Sequence, residues 1–342
     1  TDDITTGDNN TLIGKDAGTA INTGDYNTAL GCFALDAVSS QSNNTAIGYG
    51  ALGACTGHQN TAIGDLAGSG LTSSTGVVAI GEQALNGSSS ADYAIAIGHQ
   101  AFYTSGTLSN SIAIGYTSNA YAINAIAIGN TSTVSGEKSI AIGDGTTVSG
   151  LYATAIGSNA SATGNNGVAI GRMAQATSTH AIAIGIEAKS IKHSVSIGCG
   201  ATTSGSGSNA IAMGIDAITS QEAGITIGSG GSNNGRRAIV IGSGANTDIR
   251  DSISIGPVAN GDGQNSIAIG YTSVASGTNS ISIGRGASAG SGSSGSNSIA
   301  IGRSASAAGA GASRRSAAPR PAGALCHFLT LCSVNKTLFD TI

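Results

Sequence analysis

One short stretch, Ser139-Ile140-Ala141-Ile142-Gly143, recurs with small changes along nearly the whole chain. Its final glycine falls at twenty positions, from Gly14 to Gly302. The spacing is 16–17 residues as far as Gly115, then 14 with one 13 and one 16, and finally 18 to Gly302. A fixed period of this kind requires a repeat architecture, in which each unit gains its core by stacking on its neighbours. The apolar residues alternate with period two and glycine ends each segment, so the unit is a strand and not a helix.

Composition agrees. Glycine is 54 of 342 residues, charged residues are 9%, aromatics 4%, and Trp is absent. Collagen is excluded, because Gly does not recur every third residue and there are three Pro. Residues 1–302 carry 9 Lys/Arg and 17 Asp/Glu, which is no footprint for nucleic acid. The five cysteines show no CxxC spacing, so neither a disulfide framework nor a zinc site is read. No apolar run reaches the roughly 20 residues of a membrane helix, so direct membrane insertion is not expected. The chain opens on Thr1 with no leader segment and reads as a mature or truncated piece.

The residue before the glycine is Ile in eighteen copies, with Leu30 and Met213 the exceptions. The residue three before it is Ile, Val or Thr. These two share one face, read here as the core of the coil. The residue between them is Ala or Ser in seventeen of twenty copies. A solvent-facing position would drift to Lys, Glu or Gln. The column Ala113, Ala127, Ala141, Ala155, Ala169 and Ala183 is therefore expected to face a neighbouring subunit. A second, shorter strand such as Ala160 to Ala162 and a Ser-Gly or Thr-Gly turn complete each unit. The fold class is then an all-β solenoid of about 20 coils, 14–17 residues each, a rod of roughly 95 Å at ~4.8 Å per coil. Residues 1–115 form a wide-coil section, 116–302 a narrow-coil section, and 303–342 a low-complexity flexible tail carrying a short apolar run at 324–332.

The unit Ser266 to Gly277 resembles the head repeat of YadA-like trimeric autotransporter adhesins. The resemblance covers about residues 90–302. It implies a left-handed parallel β-roll, a homotrimer, a surface location and attachment to a host surface protein, matrix protein or glycan. The Asn-Thr-Ala-Ile-Gly units, as at Asn44 to Gly48, resemble the longer repeats of phage and large-virus fibre proteins, which implies attachment from a virion surface instead.

No catalytic constellation emerges, and no cofactor or metal is expected. The five His occupy unrelated positions. Asp262 lacks the patterned acidic ligands of a calcium loop. The glycine-rich stretch 228–235 is followed by no helix and is not a phosphate loop. The column Asn10, Asn27, Asn44, Asn60 is expected to form a ladder along the rod. Tyr93, Phe102, Tyr103, Tyr116 and Tyr121 are the one concentration of large side chains, readable as a ligand-contact patch or as filler where the coil narrows. An ice-binding solenoid would need more regular Thr than Thr11, Thr28, Thr45 and Thr61 supply. A polysaccharide-cleaving β-helix would need carboxylates clustered on adjacent coils, and they are scattered.

Overall fold

A computed structural model describes residues 7–103, 108–290 and 295–315. It is an all-β parallel solenoid of about 21 coils. Its first strand column is a single 21-stranded sheet, running from Thr11–Ile13 to Ser313–Arg315. Each coil pairs in parallel with the next in unbroken register, as in Ile140 with Thr154, Ala141 with Ala155 and Ile142 with Ile156. The backbone rungs continue through the turns: Ile140 N–H donates to Ala153 O at 2.9 Å, and Gly143 N–H to Ile128 O at 2.7 Å. Among the described residues there is no helix, and so none long and apolar enough to cross a membrane.

A second strand column begins at Asn119–Ala120 and runs to Asn246–Thr247. Single-residue bridges at Asn260 carry it on to Val274–Ala275 and Ser306–Ala307. The earlier coils, six in all, lack this column and enclose a roomier core. Ile21, Leu35, Val38, Leu52, Leu71, Leu85 and Phe102 are buried in it.

Which face is inside reverses the expectation from the sequence. The alanine column lies within its own coil: Ala113, Ala127, Ala141, Ala155, Ala169 and Ala183 are all 0% exposed in the single chain. It therefore cannot meet another subunit. The reason is the width of the lumen. The facing column, Ala120, Val134, Val148, Ala162 and Ala176, is equally buried, so the two sheets approach across small side chains. The isoleucines have no room inside. Ile140 is half-buried, and Ile142 is 37% exposed on the outside of the roll.

The corner glycines permit this tight closure. All twenty have φ between +116° and +142°. At Gly143 an added Cβ would stand 2.6 Å from the carbonyl oxygen of Gly157 on the next coil. Both the dihedral and the contact exclude other residues.

The asparagine column forms the expected ladder, with partners the sequence does not specify. Asn44 Oδ1 accepts from the Asn60 backbone N–H at 3.0 Å, and Asn44 Nδ2 donates to Gly57 O at 3.0 Å. The same pair of bonds recurs at Asn27 and Asn60. Each amide thus ties one coil to the next and closes its own turn.

The solenoid also continues past residue 302. Ser306–Ala307 pairs with Ser288–Ala289, and Ser313–Arg315 pairs with Ile299–Ile301. A tail beginning at residue 303 is thus corrected by one further coil. Residues 316–342, with the apolar run at 324–332, lie outside the described residues. In the last strand, Arg314 takes the alanine position and Arg315 the isoleucine position.

Two outcomes are expected from this packing. Ala141→Lys places a long cation in a lumen with no space or partner, which costs several kcal/mol. Asp144→Lys, on an exposed corner, stays within about 1 kcal/mol. Thermal unfolding followed by circular dichroism separates the two. Asn44→Ala orphans the Asn60 N–H and the Gly57 carbonyl, and denaturant titration is expected to show a loss of roughly 2–4 kcal/mol.

Candidate adhesive surface

The surface feature that spans the rod is the outward face of the first strand column. Two side chains per coil project from it, one three residues before the glycine and one immediately before. In the single chain Ile13 is 58% exposed, Leu30 44%, Ile156 38%, Met213 38% and Ile227 39%. Twenty coils at ~4.8 Å, each offering two side chains ~7 Å apart, make an apolar strip of roughly 650 Å². That exceeds the patches of 300–600 Å² found on typical monomeric proteins and has the character of an interface. No charged residue occupies either column until Arg315. In the first four coils Thr11, Thr28, Thr45 and Thr61 take the outer position, so the strip starts half-polar; from Val78 as far as Ile301 it is aliphatic except at Thr154.

The corners carry the variable and charged residues. Five residues before each glycine sits a residue in the left-handed region, asparagine in many coils, for example Asn124, Asn166 and Asn279 with φ of 58°, 54° and 56°. Asn tolerates this conformation better than most residues. Neighbours in the column interact along the rod. His180 stacks on His193 with ring centroids 5.2 Å apart. The Lys138 ammonium lies 5.3 Å from the Tyr152 ring centroid. Arg237 forms a bidentate pair with Asp251 at 2.7 and 2.8 Å. That hydrogen bond holds the Asp251 carboxyl below the usual carboxylate range and raises Arg237. The adjacent Arg236 reaches Glu222 at 2.9 Å, so both arginines of this corner are partnered.

The five aromatics near the change in coil width divide. Phe102 is 1% exposed and fills the last wide coil. Tyr93, Tyr103, Tyr116 and Tyr121 are exposed, at 62%, 44%, 56% and 38%. They occupy different positions of the coil, and among the described residues no ring contact joins them. Tyr116 stacks instead on His99 at 5.2 Å. Among the described residues no group of three or more His, Cys, Asp or Glu is placed to hold a metal ion. Cys55 is buried, which pushes its thiol up, while Cys199 is exposed.

Residues 109–132, 135–160, 162–188 and 262–287 match the YadA head domain repeat. No curated protein matches the chain. Among solved structures, the collagen-binding domain of the Yersinia adhesin YadA aligns with 30% identity over 41% of this chain and 69% of its own, at a TM-score of 0.28. In its repeat motif and its parallel solenoid, this chain is a protein of YadA-like head repeats.

Proposed function

We propose that this chain is the head of a surface-displayed adhesin: a non-enzymatic rod that associates as a homotrimer and attaches its bearer to host cells or extracellular matrix. The observation that carries the reading is the largely aliphatic, isoleucine-rich strip on the outside of a solenoid of YadA-like repeats. Covering a side chain left about a third exposed is worth roughly 1 kcal/mol. Some twenty coils with two such side chains each provide more than enough to offset the entropy lost on association. Three rods packed strip to strip leave the corners outward. The corner residues then recur along the rod and on each of its three chains, so many weak contacts add up by avidity. The targets of this class are a host surface protein, a matrix protein or a glycan.

Light scattering is expected to give three times the chain mass. The triple substitution Ile142→Lys, Ile156→Lys and Ile170→Lys introduces charges on the strip without entering the lumen. Its expected result is a monomer, or a tenfold or greater weakening of assembly, with the β circular-dichroism signal retained. A monomeric wild type overturns the trimer. The trimer should also bind immobilised fibrillar collagen, fibronectin or glycans in a multivalent manner, and failure on every such surface overturns the adhesive role.

A further inference from the structure

The third wide coil, which follows the strand Thr45–Ile47, differs from its neighbours on one corner. Two residues after the final glycine, successive coils carry Asp16, Phe33, Gly50, Leu66 and Gln83. Five residues after it they carry Thr19, Asp36, Gly53, Ser69 and Asn86. The third coil has glycine at both places. The wall therefore lacks two stacked side chains in one coil. The gap is a depression of about 300 Å³, open to solvent. Phe33 and Asp36 border it on one side and Leu66 and Ser69 on the other, with Tyr49 and Ala54 flanking the glycines along the coil.

From this notch we infer a binding site for one uncharged sugar ring. The flanking coils are two steps apart, ~9.6 Å. Leu66 leans over Gly50, its Cδ2 2.9 Å from where a Cβ would stand, so the opening lies over Gly53, between Asp36 and Ser69. Phe33 and Tyr49 meet edge to face, with centroids 5.9 Å apart and planes at 89°. That arrangement leaves aromatic surface for the C–H face of a pyranose. The polar groups are held from the far sides. The Thr19 hydroxyl donates to Asp36 Oδ1, and Ser69 Oγ donates to Asn86 Oδ1 at 2.6 Å. The ladder of such bonds lapses at Gly53. Asp36 Oδ2 and the lone pairs of Ser69 Oγ are left to accept ligand hydroxyls.

Charge selects among ligands. Residues 7–103 carry Lys15 against Asp8, Asp16, Asp25, Asp36, Asp65, Glu82 and Asp92, so an anionic sugar is repelled. A cationic ligand meets competition. Lys15 from the first coil already lies 5.8 Å from the Phe33 ring centroid and pairs with Asp16 at 3.6 Å. The notch lies outside the segments that match the YadA head domain repeat, which begin at residue 109, and off the isoleucine strip. It stands independently of the trimer and of matrix attachment.

Saturation-transfer NMR on the full chain tests the site, using the methyl glycosides of glucose, galactose and N-acetylglucosamine, with sialyllactose as the anionic comparison. The expected result is transfer to the ring C–H protons of at least one neutral glycoside and a weaker signal from sialyllactose. Gly53→Asn restores the side chain that the next two coils carry in kind. Its added Cβ would stand 3.1 Å from the Gly50 carbonyl oxygen, a small adjustment. This variant should keep the circular-dichroism spectrum and lose the signal at least fivefold. Tyr49→Ala, an exposed substitution, should weaken it comparably. No transfer to any neutral glycoside overturns the site, as does a signal unchanged in both variants or a preference for sialyllactose. A silent notch on a trimer that binds collagen overturns this inference alone.

Discussion

Everything in this molecule follows from how little fits inside a fourteen-residue coil. Two short parallel sheets face each other across a lumen that takes small side chains, mostly Ala and Ser with some Thr and Val. Alanine buried there contributes about 0.8 kcal/mol per methyl group, far less than a leucine would. The narrow coils are therefore held chiefly by backbone rungs to the coils above and below, such as Thr147 N–H to Ala160 O at 3.0 Å. The large aliphatic side chains that a strand favours are displaced outward. The same constraint that makes the roll thin leaves it with an uncovered apolar strip, so the fold carries its own demand for association.

Where the lumen changes, the means of holding it together change too. The wide coils bury Leu and Val and add the asparagine ladder. From Ser190 to Ser254 the narrow lumen becomes partly polar, and its hydroxyls pair with one another or with the backbone. Thr219 Oγ1 donates to Thr226 Oγ1 at 2.7 Å, and Ser196 Oγ to Lys189 O at 2.6 Å. Such pairing meets the requirement that buried polar groups be satisfied, while giving up some of the apolar burial of an all-alanine core. Hydroxyl and methyl side chains are close in size, which is why both occur in columns that reject isoleucine.

The period, the strand and the corner glycine were legible because each leaves a local mark: alternation, β-branching and an invariant residue without a Cβ. Inside and outside were not. Alternation defines two faces and is silent on which one closes on itself. The small face of Ala141 reads from the sequence as a contact between chains because a core is usually built from large residues. Only the approach of the second column, Val134 and Val148, shows that the small face is the core. The coil at residues 303–315 was missed for a related reason. Ser313-Arg314-Arg315 bears no likeness to Ile-Ala-Ile. The notch at Gly50 and Gly53 leaves no mark of its own in the sequence, because a missing side chain is visible only against the coils that flank it.

An interface built from identical coils leaves one matter open that the irregular residues resolve. If every coil offered the same isoleucine pair, two rods could slide past each other by one coil, ~4.8 Å, and bury almost the same area. Repetition stabilises association but does not fix its register. The exceptions along the strip break that degeneracy. Thr11, Thr28, Thr45 and Thr61 make the first coils half-polar, Thr154 interrupts the strip midway, and Arg315 places a charge in the last described strand. In the proposed trimer, a slip would bury threonine hydroxyls against aliphatic side chains and set the Arg315 guanidinium against the aliphatic strip. Both penalties would vanish only with the three chains level. The departures from the repeat would thus give the proposed assembly a defined register.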